Sequence, residues 1–226
     1  MIPNLKARTI LLIIASLAFY AYGEIVYVLL VLFSTVLNYV CARWVARDPD
    51  RKNKAALVVA VAVNLGVLGV FKYTGMLVTT FNDVTGLSVP VPEIALPIGI
   101  SFYTFQTTAY LIDVYRSKYD ADTDLAKFAL FVSFFPQIIQ GPIARHDQLA
   151  KQLYEGHPFR YANLAHGSQL MLWGFFKKLV IADRIGLLVG EVFTDWDQYT
   201  GWPVILAALC YSIQLYMDFS GGVDIA

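Results

Sequence analysis

Residues 25–42 contain no charged side chain, and this uninterrupted apolar run of about 18 residues is long enough to cross a membrane as a helix. Further apolar runs occupy residues 9–23, 55–71 and 198–217. Helices of a soluble protein are usually apolar along one face only, so repeated runs of this kind indicate lipid surroundings. The pattern predicts an all-α, polytopic transmembrane helical bundle with about six or seven membrane segments, some of them broken or re-entrant.

The composition supports this interpretation and excludes several other functions. Apolar residues make up 58% of the chain and charged residues 15%, whereas soluble domains contain about 25% charged residues. The 17 basic and 17 acidic residues balance, so no excess of positive charge predicts nucleic-acid binding. Cys41 and Cys210 lie within apolar runs, which argues against a disulfide framework or a thiolate zinc site. We expect neither a bound metal nor a bound cofactor.

The distribution of basic residues predicts the topology. Lys6 and Arg8 precede the first run, and a basic loop follows the second at residues 43–54. Because basic loops are retained in the cytoplasm, we expect a multi-pass protein of the plasma (inner) membrane with a cytoplasmic N-terminus. The moderately apolar residues 73–93 are then expected to form an outer-surface loop with a short interfacial helix.

Four segments depart from a simple membrane span. Residues 94–112 are long enough to span but contain proline, glycine, glutamine and threonine, so this helix should face protein or a water-filled cavity. Residues 128–139 are too short to span and end in Gln-Gly-Pro, which favours a re-entrant helix. Residues 145–160 resemble an amphipathic interfacial helix. Residues 164–192 resemble a helix that is interrupted by charged residues.

Polar groups at membrane depth are either paired for structure or present for function. Asp113 and Arg116 could form an ion pair three residues apart, whereas Gln106 favours a role lining a cavity. Arg145 could attract an anionic group or simply lie at the membrane interface. Asp218, before Ser-Gly-Gly, could cap a turn or bind a polar substrate.

Other residue types give weaker predictions. The neighbouring lysines 177 and 178 could snorkel to the headgroups. His146 and His157 are expected at the surface, and His166 at a helix start. No histidine has a metal-ligand spacing, and no catalytic triad, nucleotide-binding glycine motif or P-loop occurs.

The polar groups are concentrated in four stretches, which read LPIGISFYTFQTTAYLIDVYR at 96–116, FFPQIIQGPIARHDQL at 134–149, GFFKKLVIADRI at 174–185 and YSIQLYMDFSGGVDIA at 211–226. In order and spacing they resemble the membrane-bound O-acyltransferase (MBOAT) family, and within it the bacterial alginate O-acetylase-like branch. One difference is Gly222 and Val223, where that branch usually has a Tyr-Ser pair.

The resemblance implies a membrane O-acyltransferase that moves an acetyl group from a cytosolic donor, acetyl-CoA, to an exported polysaccharide such as alginate. It also implies a periplasmic acetyl-acceptor protein as a partner, and candidate residues along the wall of a substrate tunnel. These are Gln106, Asp113, Arg116, Gln137, Gly141, Pro142, Arg145, Lys177, Asp183, Asp218 and Ser220.

The family's catalytic histidine lies beyond the last of the four stretches, so it is expected downstream of Ala226 and no residue here inherits its role. We therefore expect residues 1–226 to be a single transmembrane domain, truncated before a C-terminal catalytic part. Two alternatives remain: a transporter or channel, because discontinuous helices also build transport sites, and a non-catalytic truncated fragment.

Overall fold

The apolar runs form helices in the computed structural model of the chain, which describes residues 5–23, 25–47, 53–97, 99–138, 141, 143–155 and 158–226. In lipid every backbone N–H and C=O needs an internal partner, and a helix supplies those partners within one segment. The described residues form no strand, which confirms the all-α class. Four of their helices are long and apolar enough to cross a membrane, namely α1 (Leu5–Gly23), α2 (Ile25–Ala46), α3 (Lys54–Thr85) and α10 (Trp202–Ile225).

The remaining helices are shorter. They are α4 (Ile100–Tyr115), α5 (Leu125–Ser133), α6 (Phe135–Ile138), α7 (His146–Tyr154), α8 (Tyr161–Phe175), a π-helical segment (Phe176–Ala182) and α9 (Asp183–Thr194). Contacts divide the chain into two compact units, of which the first contains α1 to α7 and the second α8 to α10. The expected single transmembrane domain stays a prediction.

In the first unit, α2 contacts α1, α3, α4 and α5. The largest buried side chains come from α4 and α5, where Tyr103, Tyr110, Phe128 and Phe131 are almost fully enclosed. The predicted protein-facing surface of α4 is therefore confirmed, because polar residues of this helix share its buried face with these rings. The predicted short segment at residues 128–139 corresponds to α5 and α6, which separate at Phe134. Its re-entrant position stays a prediction.

A pair of buried amides joins α2 to α3. The Asn38 Nδ2 group donates to Asn64 Oδ1 at 3.0 Å, and the Asn64 Nδ2 group donates back to Asn38 Oδ1 at 2.6 Å. Both side chains are at most 3% exposed. Since an unpaired amide is costly in apolar surroundings, this reciprocal pair fixes the register of the two helices.

The predicted outer-surface loop at residues 73–93 is wrong over its first part, because α3 continues without a break to Thr85. Its 32 residues extend about 48 Å, well beyond the roughly 30 Å of a hydrocarbon layer. Lys72 lies inside this helix, with its ammonium over the Tyr73 ring at 5.6 Å. The helix ends at Gly86, whose φ of 70° lies in the left-handed region that glycine tolerates.

The helix expected at residues 94–112 begins later, at Ile100. Pro97 and Gly99 precede it, and the φ of 74° at Gly99 breaks any continuation from the preceding segment. At 16 residues α4 extends about 24 Å, which is shorter than a full span. The sequence pattern was thus right about its polar face and wrong about its first turns.

In the second unit, α10 contacts α8, the π-helical segment and α9. The predicted interruption within residues 164–192 is instead a change of helical pitch, because α8 leads directly through the π-helical segment into α9. The suggestion that Asp218 caps a turn is wrong, since α10 continues through both following glycines to Ile225.

Candidate functional site

Lys177 connects the π-helical segment to the end of α10. Its Nζ atom donates to Ser220 Oγ at 2.9 Å and lies 2.6 Å from Asp224 Oδ2. The Lys177 side chain is 14% exposed and that of Asp224 21%, so the pair is largely shielded. Trp173 places its ring 5.9 Å from the same Nζ atom. A shielded cation requires such partners, so these contacts fix Lys177 in position.

Lys178 makes a second connection to α10. Its Nζ atom forms a short ion pair with Asp218 Oδ1 and lies 4.0 Å from Asp183 Oδ1. The lysine and Asp218 are each 36% exposed, so this pair is more accessible than the first. Three predicted residues, Lys177, Asp218 and Ser220, therefore meet between the π-helical segment and α10. Lys177, Lys178, Asp218 and Asp224 together form the Lys–Asp cluster.

The π-helical segment explains how two consecutive lysines reach the same neighbouring helix. In a π-helix the backbone bonds run from residue i to i+5, which widens the turn and leaves successive side chains closer in direction than in an α-helix. Such turns are rare and are frequently found at functional sites. Here the widened turn places Lys177 and Lys178 side by side along α10.

A contact between two glycines brings α8 and α10 close together beside this cluster. A Cβ atom at Gly174 would lie 2.7 Å from the Gly221 carbonyl oxygen, and a Cβ atom at Gly221 would lie 2.8 Å from the Gly174 carbonyl oxygen. Each position therefore excludes any larger residue unless the helices move apart. The same approach accounts for Gly221 inside α10, where sequence reasoning suggested a turn.

Two predicted residues of the first unit belong to a chain of ion pairs. Asp113 Oδ2 lies 3.2 Å from Lys118 Nζ, which lies 3.7 Å from Asp147 Oδ2. Asp147 Oδ1 in turn lies 3.6 Å from Arg145 Nε. Lys118, and not Arg116, is thus the partner of Asp113, and the Arg116 side chain is exposed at the end of α4.

Gln106 is buried, with 5% of its surface exposed. Its Nε2 group donates to the Phe131 carbonyl oxygen at 3.1 Å, across from α4 to α5. Gln137 lies half-buried in α6, and Gly141 is buried in a bend. Pro142 lies outside the described residues. The roles of these residues in a substrate path stay predictions.

The prediction that His146 is a surface group is wrong, because its side chain is only 10% exposed. Its Nε2 atom lies 2.7 Å from Asp122 Oδ2, which also accepts a hydrogen bond from the Tyr154 hydroxyl at 3.1 Å. The Tyr110 and Phe131 rings each lie 4.8 Å from the imidazole. The amphipathic pattern of α7 was recognised, but it did not show that the histidine is on the buried face. His157, which was also predicted to lie at the surface, is outside the described residues.

Tyr154 has a pKa raised above its ordinary value, first by burial and then by the negative charge of Asp122. The phenol therefore remains a hydrogen-bond donor to Asp122 throughout the physiological pH range. Sequence reasoning missed this group of His146, Asp122 and Tyr154, since the residues are separated by up to 32 positions. It also did not place Lys178 and Asp224 among the candidate tunnel residues, although both lie inside the quoted motifs.

No protein-family model matches the chain. The chain is 39% identical over 98% of its length to the probable alginate O-acetylase AlgI of Pseudomonas aeruginosa, and it covers 43% of that protein. It is also 39% identical over 98% of its length to the probable alginate O-acetylase AlgI of Azotobacter vinelandii, of which it covers 45%. It is also 32% identical over 95% of its length to the peptidoglycan O-acetyltransferase of Helicobacter pylori, covering 46%. The chain thus spans less than half the length of these relatives.

Proposed function

Because the chain belongs to the membrane-bound O-acyltransferases, as a relative of the bacterial alginate O-acetylases, we propose that the protein O-acetylates an exported polysaccharide. The Lys–Asp cluster is the structural observation that supports this proposal most directly, since two of the four family-like stretches meet there. The relatives are named as transferases, so the transporter alternative gains no support from them.

We further propose acetyl-CoA as the donor, an acidic polysaccharide such as alginate as the final acceptor, and a periplasmic protein as the partner that receives the acetyl group. In this proposal the protein lies in the inner membrane with its N-terminus in the cytoplasm. The four span-length helices support a multi-pass protein, and the basic loop at residues 43–54 supports the orientation.

Acyl transfer needs a general base for the acceptor hydroxyl and donors for the oxyanion that develops on the thioester carbonyl. We assign the base to no described residue, in keeping with the resemblance, which places it elsewhere in the protein. The Lys–Asp cluster would serve as a polar wall of the reaction path. Its ammonium groups are fixed by carboxylates on α10, so they present oriented donors without reorganising during the reaction.

The proposal is tested with membranes that contain the protein expressed from its native reading frame. Labelled acetyl-CoA is supplied, and label is measured in polysaccharide and in membrane-associated proteins. We expect wild-type membranes to transfer acetyl groups, and Asp218→Asn to lower the rate at least about tenfold because Lys178 loses its charged partner.

The matched control is Asp197→Asn, which removes an exposed carboxylate of the same unit outside the cluster. This control should retain the wild-type rate at equal protein amounts. Absence of acetyl transfer to any polysaccharide or protein by well-expressed wild-type membranes would contradict the enzymatic proposal. Solute flux in the absence of an acyl donor would favour a transporter instead.

A further inference from the structure

A basic cavity lies at the C-terminal end of α2, within the first unit. Its volume is about 740 Å³, and its lining combines two arginines with apolar side chains and one carboxylate. Arg43, Arg47 and Trp44 come from α2, and Asp120 and Thr123 come from the segment that follows α4. Its residues belong to the first unit, whereas those of the Lys–Asp cluster belong to the second.

Tyr39 fixes one of the two guanidinium groups at this cavity. The Tyr39 hydroxyl donates to the Thr123 carbonyl oxygen at 2.7 Å and accepts from Arg43 Nη1 at 3.1 Å. The Arg43 guanidinium also lies 5.7 Å from the Tyr39 ring centroid, which adds a cation–π contact. Guanidinium has five N–H donors, and only one is used here, so the group is oriented and still able to bind an anion.

Arg47 adds a second positive charge. Its side chain is exposed at the edge of the cavity, and it makes no ion pair with any of the residues that the structure describes. Among the lining residues that the structure describes, Asp120 is the only acidic one, so these residues together carry a net positive charge. Two neighbouring guanidinium groups favour a phosphate group, which accepts bidentate hydrogen bonds.

An exposed apolar stripe on α2 leads directly to the cavity. It consists of Phe33, Val36, Val40 and Trp44, which are 54%, 49%, 56% and 46% exposed. Their spacing of three or four residues places them on one face of the helix. The stripe is about 16 Å long, close to the thickness of one leaflet of the hydrocarbon layer. Trp44 lies at its polar end, where tryptophan is enriched in membrane proteins.

We propose that this cavity binds the phosphate of an anionic phospholipid, whose acyl chain lies along the α2 stripe. A soluble phosphate ester would use the two arginines but leave the stripe without a partner, whereas a phospholipid matches both. Phosphatidylglycerol has the required chemistry, with one anionic phosphate and no compensating cation in its headgroup. This site is independent of the proposed acetyl transfer.

Lipid binding is measured by native mass spectrometry of the detergent-purified protein, titrated with phosphatidylglycerol or with phosphatidylcholine of the same acyl chains. We expect the Arg43→Gln/Arg47→Gln variant to bind phosphatidylglycerol about 30-fold more weakly than wild type, at about 1 kcal/mol per basic side chain. The charge-matched control Arg160→Gln/Arg184→Gln removes two exposed arginines of the second unit and should bind like wild type.

Two further arms separate the sources of phosphate and the role of the stripe. Inorganic phosphate or free coenzyme A in excess should not displace the lipid, and Trp44→Ala should weaken lipid binding while the protein keeps its thermal stability. Equal phosphatidylglycerol binding by wild type and the double variant would overturn the proposal, as would equal binding of the two lipids. Displacement by coenzyme A would assign the cavity to a soluble ligand, and failure of wild type to bind phosphatidylglycerol would likewise overturn the proposal.

Discussion

The contact between Gly174 and Gly221 predicts opposite effects for chemically identical substitutions in α8. In Gly174→Ala the new Cβ atom would lie 2.7 Å from the Gly221 carbonyl oxygen and 3.1 Å from the Ile225 backbone nitrogen, whereas ordinary contact begins at 3.4 Å. The closest obstacles include backbone atoms, so a change of rotamer alone cannot relieve the clash. In Gly167→Ala, on the same helix, the new atom has no neighbour within 4 Å.

The expected difference in stability between the two variants follows from what the two substitutions share. Both gain the helix propensity of alanine over glycine, about 0.8–1 kcal/mol, so that gain cancels in their difference. The remaining difference is the cost of overpacking, about 1–3 kcal/mol. For a chain of this size it corresponds to a thermal midpoint roughly 2–12 °C lower for Gly174→Ala than for Gly167→Ala.

The assay is thermal unfolding of both purified variants and wild type in the same detergent, at one scan rate because unfolding of such proteins is often irreversible. We expect Gly167→Ala to equal or exceed wild type and Gly174→Ala to fall below it. Equal midpoints for the two variants would refute the close approach of α8 and α10.

Two further predictions concern buried polar groups of the first unit. Asn38→Leu should destabilise the protein by roughly 0.6–2 kcal/mol because Asn64 loses its partner. The double variant Asn38→Leu/Asn64→Leu should recover part of this loss of stability. A double variant that is less stable than the single one in thermal unfolding would contradict the pairing. His146→Leu should remove the 2.7 Å partner of Asp122 and increase hydrogen exchange across α7, whereas unchanged exchange there would show that the histidine does not hold this helix.

The all-α class and the long apolar helices follow from the sequence, because an uncharged run of this length has few alternatives to a membrane helix. The polar face of α4 was predictable for a related reason. Glutamine and threonine are costly to expose to lipid, so their clustering indicates contact with protein. Both Gln106 and Thr107 are accordingly buried.

The helix boundaries were less predictable, since local signals were overridden by tertiary contacts. Gly221 and Gly222 indicate a turn when considered alone, but Gly221 serves here to let α10 approach α8. Asp218 resembled the end of an apolar span, yet its charge is compensated by Lys178, so the helix continues. The position of a partner on another helix is not encoded locally, and single-sequence reasoning could not supply it.

The candidate site was predicted in part. The motif residues Lys177, Asp218 and Ser220 were selected and do meet between helices. The π-helical segment that aligns the two lysines was missed, because no residue pattern distinguishes a widened turn from an α-helical one. His146 was misplaced for a different reason: a polar residue on an amphipathic helix is usually solvated, and its burial depends on Asp122, 24 residues away.

The central claim is that the pairing of lysines on the π-helical segment with aspartates on α10 supports acetyl transfer. The most direct test is the rate of labelled acetyl transfer by membranes containing the native-frame protein with Lys178→Asp, Asp218→Lys, or both. We predict that each single substitution lowers the rate at least about tenfold by placing like charges together, and that the exchanged pair recovers a substantial part of it. Wild-type rates in both single variants, at equal protein amounts, would contradict the account.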